Sequence, residues 1–340
     1  MGVKTSRQIR TALLGAAVLA GTAALAGCTG ASAEDTIQVY SARHYDLETA
    51  FEEFTDDTGI EVEFLFGDDA ELRERILAEG EDTVADAYIT VDAGNLAAAA
   101  EQGIFAPVDS TVLEDAVPAK FRDPEGRWFG LAERARTIIY SPERVDPADL
   151  STYEALTEPE WDGRLCLRTG QSSYTQSLVA SLIAQRGEEE TEALLRGWVD
   201  NARIFSNDVE IIENIASGNC DVAITNHYYL ARELREDPDL PVALFWADQE
   251  EGGVHVNLSG GGVTAEADNP TDAQQLIEWL ATDGQATLVR ENLEFPVNPD
   301  TEVQEVLQGF GPFTEMDVDA QAYADLNPDA VRLLAAADYE

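Results

Sequence analysis

Asp221-Val-Ala-Ile-Thr-Asn-His-Tyr-Tyr-Leu230 contains the pattern on which the fold prediction rests. The run from Asp221 to Thr225 is typical of a buried strand, and a helix is predicted to begin directly after it. The same alternation of strand and helix signals recurs along the chain, with helices of about ten residues, which favours a parallel α/β sheet. The predicted strands are residues 36–41, 60–66, 87–91, 133–141, 164–168, 203–206, 221–225 and 254–264.

Two extended segments, residues 133–141 and 254–264, connect two such α/β series. The second segment contains Gly260-Gly261-Gly262, which lacks the lysine and the helix start of a phosphate-binding loop. We interpret it as a point where backbones cross. Two α/β units joined by extended strands predict a two-lobed binding protein with a hinge. The predicted lobes are residues 36–135 with 262–300, and residues 136–261 with 301–340.

The first 27 residues are predicted to be an export signal. A basic start is followed by the apolar, alanine-rich run Thr11 to Ala26, which is too short for a confident membrane span. Leu25-Ala-Gly-Cys28 resembles a bacterial lipoprotein cleavage box, so Cys28 is the predicted lipidation site and residues 28–35 a tether. An ordinary signal peptide with a chance cysteine is the alternative. Either way, we expect an exported protein that faces the periplasm or the cell exterior.

The other cysteines are Cys166 and Cys220. In an oxidising compartment two remaining cysteines are more often paired than free. Both lie at edges of predicted strands, which makes a disulfide plausible, but the separation of their Cα atoms cannot be obtained from sequence. Pairing and two free thiols therefore both remain open.

The chain carries 66 acidic and 21 basic residues, for a formal net charge of −45. Lys4, Arg7 and Arg10 belong to the signal, so the exported part is more acidic still. This charge excludes nucleic acid and anionic lipid as broad-surface partners. The acidic residues are spread along the whole chain, which favours a general solubility adaptation over a local site.

Tyr228 and Tyr229 form the most informative pair of side chains. A phenol keeps its proton until about pH 10, and a small, highly charged cation such as ferric iron can displace it. A half-buried aromatic pair is the ordinary alternative. Two further segments, His44-Tyr45 and Tyr174, also follow predicted strands. Since ligands of open α/β sheets lie beyond the carboxyl ends of strands, we expect the three segments to form one site.

Six segments give the chain a family resemblance. It resembles the ferric-iron-binding proteins of bacterial ABC importers, the periplasmic transferrin-like solute-binding proteins, over essentially the whole exported part. The segments are Val39-Tyr-Ser-Ala-Arg-His-Tyr45, Ala85-Asp-Ala-Tyr-Ile-Thr-Val-Asp-Ala-Gly94, Trp128-Phe-Gly-Leu131, Ser172-Ser-Tyr-Thr-Gln-Ser-Leu178, the Tyr228-Tyr229 segment and Phe295-Pro-Val-Asn-Pro299. The resemblance implies a type II periplasmic-binding-protein fold, with mixed sheets, helices on both faces and a ligand cleft between the lobes.

The resemblance also implies a ferric shell. His44 and Tyr45 would come from the first lobe, and Tyr174, Tyr228 and Tyr229 from the second. Some members of the family bind carbonate or another small anion beside the metal. With five protein ligands available, such an anion need not be required here. The implied partners are the permease and ATPase of an ABC iron importer, with the receptor itself a monomer.

Charge accounting predicts cations near this shell. Four phenolates around Fe³⁺ leave one negative charge, and arginine stays positive at any relevant pH. Arg43 and Arg136 are the predicted neighbours of the shell, with surface ion pairs as the alternative. His227 stands where the family often has threonine; we expect it to be a pH-sensitive neighbour or solvated, not a ligand. His255 is expected to be a satisfied strand histidine.

Two other functions remain for comparison. The tyrosines could form an aromatic box for a small organic ion, although this leaves His44 unexplained. An exported hydrolase is disfavoured, because no G-x-S-x-G elbow, H-E-x-x-H motif or serine-histidine-aspartate spacing occurs. We therefore predict a receptor and not an enzyme.

Overall fold

A computed structural model describes residues 36–43 and 47–340. Its centre is a sheet of ten strands. The strands are β1 (Thr36–Ser41), β2 (Glu61–Phe66), β3 (Ala87–Thr90), β4 (Phe129–Tyr140), β5 (Leu165–Arg168), β6 (Ala202–Phe205), β7 (Val222–Asn226), β8 (Ala243–Phe245), β9 (His255–Val263) and β10 (Phe295–Pro296). Their order is β2-β1-β3-β9-β4-β7-β5-β6, and β8 and β10 also pair with β4.

Helices fill most of the connections between the strands. They are α1 (Leu47–Thr58), α2 (Asp69–Glu79), α3 (Ala93–Glu101), α4 (Thr111–Ala116), α5 (Ser173–Arg186), α6 (Glu188–Asn201), α7 (Asp208–Ala216), α8 (His227–Glu236), α9 (Pro270–Ala281), α10 (Gln285–Arg290), α11 (Glu305–Gln308) and α12 (Ala320–Ala336). Among the described residues, no helix is apolar over a length that would cross a membrane.

The sheet contains two parallel groups of strands. In one, β1 pairs in parallel with β2 and β3; in the other, β5 pairs in parallel with β6 and β7. The antiparallel pair β4 and β9 lies between them. β4 pairs with β9 up to Arg136 and with β7 from Arg136 to Tyr140, while β9 pairs with β3, so this antiparallel pair connects the two groups. This arrangement is the predicted one of two α/β units joined by extended strands.

The hydroxyl of Tyr153 lies where β4 and β9 separate. It donates to the backbone carbonyl of Arg136 and accepts from the backbone N–H of His255 at 3.2 Å. These two residues are register partners across the strand pair. Tyr153 is fully buried and its ring meets Trp198 edge-on at 6.4 Å. A core phenol thus satisfies backbone groups at the junction of the two units.

The three consecutive glycines lie in β9, where neighbouring backbones approach closely. A Cβ atom on Gly260 would stand 2.5 Å from the carbonyl oxygen of Phe129, and one on Gly262 would stand 2.3 Å from that of Arg127. Side chains longer than a hydrogen therefore do not fit without moving the backbone. This agrees with the interpretation of the run as a crossing point and not a phosphate-binding loop.

The structure differs from the predicted elements in three places. β4 begins at Phe129, four residues before the predicted start at residue 133, and is buried throughout. The short elements α4, β8 and β10 have no counterpart in the prediction. The tail, predicted to be helical from about residue 303, has helices at 305–308 and 320–336. Short elements of this kind depend on tertiary pairing, for which local sequence gives little signal.

Cys166 and Cys220 are joined in the structure. Their Cα atoms are 5.9 Å apart, a separation usual for a disulfide, and both side chains are buried. The bond links β5 to the segment directly before β7.

Candidate metal centre

Three of the predicted ligands meet at one edge of the sheet. β5 and β7 are parallel neighbours, so their carboxyl ends point the same way. α8 begins directly after β7, which places Tyr228 and Tyr229 in its first turn, and Tyr174 is the second residue of α5. The rings of Tyr228 and Tyr229 lie 4.4 Å apart between centroids. Tyr174 is also close enough to Tyr228 to raise the pKa of that phenol.

Two of these tyrosines, Tyr174 and Tyr228, line a small cavity of about 40 Å³ that reaches the end of β1, and Tyr229 lies beside it with its ring against that of Tyr228. It is lined by Ala42, Arg43, Val91, Arg134, Tyr174, Tyr228, Asn292 and Glu294. Ala42 and Arg43 directly precede His44 and Tyr45 in the sequence. His44 and Tyr45 themselves lie outside the described residues, so their part in the shell stays a prediction. Cys28 also lies outside the described residues.

The phenols of the pair are protonated in the absence of a metal. Burial raises the pKa of Tyr228 well above its ordinary value, and the neighbouring phenols Tyr174 and Tyr229 raise it further. Burial also raises the pKa of Tyr229, followed by the effects of Tyr174 and Asp208. Both side chains lie at the start of a helix, where the helix dipole favours negative charge. The two phenolic oxygens are thus already close together but uncharged, and a cation that displaces their protons could bind them.

Arg134 is a cation of this cavity that the sequence analysis missed. Its guanidinium carbon lies 5.3 Å from the centroid of the Tyr174 ring, and its Nη2 donates to the carbonyl of Val91. It is two residues before the predicted Arg136, so both project from the same face of β4. The motif Arg134-Ala-Arg136 contained the signal, but only the register of β4 shows which arginine lines the cavity.

The two predicted arginines are both in buried ion pairs, so the alternative of surface ion pairs does not hold. Arg43 lines the cavity and pairs with Glu294, with side-chain exposures of 3% and 6%. Its Nη2 also donates to the carbonyl of Leu288 at 2.9 Å. Arg136 pairs with Asp208, with exposures of 3% and 0%. Arg136 does not line the cavity but contacts Asn226, whose amide donates to the Tyr228 hydroxyl at 3.4 Å.

His227 is neither solvated nor a pH-sensitive neighbour, contrary to the sequence-based expectation. Its Nδ1 accepts from the backbone N–H of Ala135 at 3.0 Å, and its Nε2 donates to the carbonyl of Leu293 at 3.1 Å. Burial is the main cause that lowers its pKa to about 4. The imidazole therefore stays neutral near pH 7, and both nitrogens are occupied. The expectation that His227 is not a ligand agrees with this geometry.

His255 is a buried strand histidine, as expected, but it is not fully satisfied. Its Nδ1 has no hydrogen-bond partner among residues 36–43 and 47–340. Burial, with Arg134 and Arg136 nearby, lowers its pKa to about 3. The ring meets Tyr323 edge-on at 5.6 Å.

The described residues offer no metal site made of histidine, cysteine or carboxylate ligands. Within the part of the chain that the structure describes, no group of three or more histidine, cysteine, aspartate or glutamate side chains could hold a metal ion. Phenols are therefore the candidate donors in the described residues. Phenolate is a hard oxygen donor and suits a small, highly charged cation.

Comparison with known proteins identifies the family. Residues 82–313 match the family model described as bacterial extracellular solute-binding protein. The chain belongs to this family. It consists of solute receptors, in agreement with the prediction that the chain is not an enzyme, and membership implies export from the cytoplasm.

Relatives within the family carry iron-related names. Iron uptake protein A1 of Synechocystis sp. is 42% identical over 290 residues, which cover 82% of this chain and 81% of the relative. The Fe(3+)-binding periplasmic protein of Serratia marcescens is 29% identical over 294 residues, covering 85% of this chain and 86% of that protein. The predicted resemblance to ferric-iron-binding proteins is confirmed.

Solved structures of such proteins share the fold. The Trichodesmium protein FutA (IdiA), in complex with iron and citrate ligands, has a TM-score of 0.84 at 37% identity, covering 90% of this chain and 100% of that one. Apo ferric ion-binding protein A of Pasteurella haemolytica has a TM-score of 0.83 at 31% identity, covering 90% and 98%. These likenesses confirm the predicted type II binding-protein fold.

Proposed function

We propose that this protein is a ferric-iron receptor that delivers Fe³⁺ to the permease and ATPase of an ABC importer. The observation that carries the proposal is that Tyr174 and Tyr228 line one small cavity together with Arg43 and Arg134, with the Tyr229 ring packed against that of Tyr228. A relative named as an iron uptake protein, 42% identical to this chain, supports it.

The proposed shell consists of His44, Tyr45, Tyr174, Tyr228 and Tyr229. Support for the last three is their shared position at the carboxyl ends of β5 and β7. Support for the first two is that Arg43, their neighbour in sequence, lines the same cavity. Arg43 and Arg136 are proposed as nearby cations, and Arg134 joins them because it stacks on Tyr174.

Capture in this proposal is a proton-for-metal exchange. Fe³⁺ displaces the phenolic protons of Tyr228 and Tyr229, which the apo protein retains because burial raises the pKa of both groups. The second lobe holds the tyrosine pair, so we propose that it binds iron first and that His44 and Tyr45 complete the shell when the lobes close. Reduction to Fe²⁺ would loosen the site, because a lower charge attracts phenolate less strongly.

We also propose that the protein is held at the membrane by a lipid on Cys28 and works as a monomer. The Cys166–Cys220 disulfide is proposed to persist in the exported protein, where the compartment is oxidising. A synergistic anion is not part of the proposal, since five protein ligands are available.

The aromatic-box alternative is disfavoured by the surroundings of Tyr174. The guanidinium carbons of Arg134 and Arg168 lie 5.3 and 4.9 Å from its ring centroid. These cations already occupy the region over the ring that an organic cation would need. Binding of an anionic organic solute would not explain why three phenols lie close together.

Visible spectroscopy on the purified exported chain tests the proposal. Added ferric citrate should produce a tyrosinate-to-iron charge-transfer band, and the double variant Tyr228→Phe/Tyr229→Phe should lose it. Tyr40→Phe is the matched control, because its hydroxyl bonds to Glu79 on α2 and not to the site. A wild-type protein that stays colourless, or a double variant that keeps the full band, contradicts ferric binding by these phenols.

A further inference from the structure

Asp208 is a buried carboxylate held by two arginines. It is the first residue of α7, and its side chain has 0% exposure. Its Oδ1 accepts from Arg136 Nη1 at 2.9 Å, and its Oδ2 accepts from Arg168 Nη1. A buried charge requires such partners. Each guanidinium also makes a second contact, which connects it to the phenols of the site.

Arg168 connects Asp208 to two of the tyrosines. Its guanidinium carbon lies 4.9 Å from the centroid of the Tyr174 ring, and Tyr229 is close enough to raise the pKa of Arg168. Burial alone lowers the pKa of Arg168, but Asp208 and Tyr229 outweigh it, and the pKa is raised. A planar guanidinium can stack on one group while it donates to another. Asp208 thus anchors a permanent cation beside both phenols.

Arg136 connects Asp208 to the third tyrosine through Asn226. The Arg136 Nη1 lies 3.3 Å from Asn226 Oδ1, and Asn226 Nδ2 donates to the Tyr228 hydroxyl at 3.4 Å. Asn226 occupies the N-cap position of α8, yet its side chain makes no capping hydrogen bond. Asparagine at that position normally caps the helix. Its amide instead bridges the arginine and the phenol.

The four side chains Asp208, Arg136, Arg168 and Asn226, which we call the Asp208 hub, carry one net positive charge. The proposed shell of four phenolates around Fe³⁺ carries one negative charge, and the hub contacts two of these phenols, Tyr174 and Tyr228. Without the carboxylate, the buried guanidinium of Arg136 and the partly buried guanidinium of Arg168 would repel each other without compensation and would move apart. The contacts with Tyr174 and Asn226 would then be lost.

We propose that Asp208 is a positioning residue for the ferric site, acting through Arg168 and Arg136 to hold positive charge against the three phenols. This inference rests on the proposed function. Asp208 itself contacts no iron. The competing explanation is purely structural: Asp208 ties α7 to β4 and β5, and the site is unaffected as long as the protein folds.

The test compares Asp208→Asn with Asp221→Asn in the exported chain. Asp221 is a matched control, because Arg144 Nε and Arg164 Nε donate to its two carboxylate oxygens at 2.5 and 2.7 Å, and it lies at the opposite end of β7 from the tyrosines. Ferric affinity is measured by competition with citrate, and the charge-transfer band is recorded below the unfolding temperature of each variant. Changes to groups that orient metal ligands typically weaken metal binding by about 10- to 100-fold.

We expect Asp208→Asn to weaken ferric binding to that extent and to move the band to longer wavelength, because the phenolates lose a stabilising cation. Asp221→Asn should leave affinity and band unchanged. Affinity within twofold of wild type and an unshifted band in Asp208→Asn would overturn the inference, even if its unfolding temperature falls.

Arg168→Gln gives a second, independent measurement should Asp208→Asn fail to fold. It removes the cation at Tyr229 while Arg136 still pairs with Asp208, and it should shift the band in the same direction. If both single variants fold, the double variant Asp208→Asn/Arg168→Gln should lose less affinity than the sum of the two single losses, because part of the effect of Asp208 passes through Arg168. Additive losses, or an unshifted band in Arg168→Gln, contradict the proposal. A colourless wild type overturns the proposed function and this inference with it.

Discussion

The tyrosines of the proposed metal centre and the tyrosines of the core differ in what their hydroxyl groups contact. In the core, Tyr153 donates to the carbonyl of Arg136, and Tyr323 donates to the carbonyl of Val256 at 2.8 Å. Each of these hydroxyls needs its proton for a hydrogen bond to a backbone acceptor that would otherwise be buried and unpaired.

At the centre, the hydroxyl groups lie near other phenols, an amide and a cation. Tyr228 accepts from Asn226 at 3.4 Å, and Tyr174 and Arg168 are close enough to act on the pKa of Tyr228 and Tyr229 respectively. These interactions do not depend on a retained phenolic proton in the same way, since an amide N–H and a guanidinium donate better to a phenolate. A phenolic proton of the site can therefore be lost without leaving a buried backbone group unpaired.

The pKa does not separate the two groups. Burial raises the pKa of Tyr228 and Tyr229, and it raises the pKa of Tyr153 and Tyr323 as well. What distinguishes a phenol that can bind a metal is the chemistry of its hydroxyl partners. The following three predictions test this distinction, beginning with the largest expected effect.

The site phenols, and not the core phenols, should account for the protons released when iron binds. Each phenol that ionises on binding makes ferric affinity fall about tenfold per unit decrease in pH, because the raised pKa keeps it protonated in the apo protein. Titration with one ferric chelate in weakly buffered solution measures the release. Tyr228→Phe should release about one proton fewer than wild type.

Tyr323→Phe is the control for this measurement and should release as many protons as wild type. Equal release by Tyr228→Phe and wild type would show that Tyr228 does not ionise. A deficit in Tyr323→Phe would show that hydroxyl partners do not separate the two groups.

The second-lobe phenols should bind iron without the first lobe's ligands. His44→Ala/Tyr45→Phe should retain ferric binding weakened by about two orders of magnitude or more, since second-lobe contacts remain but the shell is incomplete. Competition with citrate and the charge-transfer band measure this. A complete absence of binding would mean that iron binds only when both lobes contribute, and undiminished binding would remove His44 and Tyr45 from the shell.

The sequence was sufficient to predict the parts of the site that depend on the local order of strands and helices along the chain. Tyr174, Tyr228 and Tyr229 each follow a strand at a helix start, and the parallel pairing of β5 with β7 brings them together. The glycine run in β9 was likewise correctly interpreted, because a glycine-only stretch limits what can surround it.

The charged groups around the phenols depended on contacts that are distant in sequence. Arg134 was missed in favour of Arg136, and Asp208 and Arg168 were missed entirely. Asp208 lies 72 residues from Arg136 and 40 from Arg168, so no local pattern marks it among so many acidic residues. His227 was expected to be pH-sensitive or solvated because it departs from the family pattern, whereas backbone groups of Ala135 and Leu293 bind both of its nitrogens.

Tyr153→Phe gives the smallest effect and the sharpest contrast with the site. It leaves the carbonyl of Arg136 and the N–H of His255 without their phenolic partner at the junction of β4 and β9. Loss of such a partner for buried groups costs about 1–3 kcal/mol. We expect that decrease in the free energy of unfolding, measured with urea, and a ferric charge-transfer band of wild-type intensity. Tyr228→Phe should give the opposite result, with unfolding free energy near wild type and impaired ferric binding. If Tyr153→Phe instead lost the charge-transfer band while its free energy of unfolding stayed at the wild-type value, the Tyr153 hydroxyl would act like the site phenols. The distinction by hydroxyl partner would then fail.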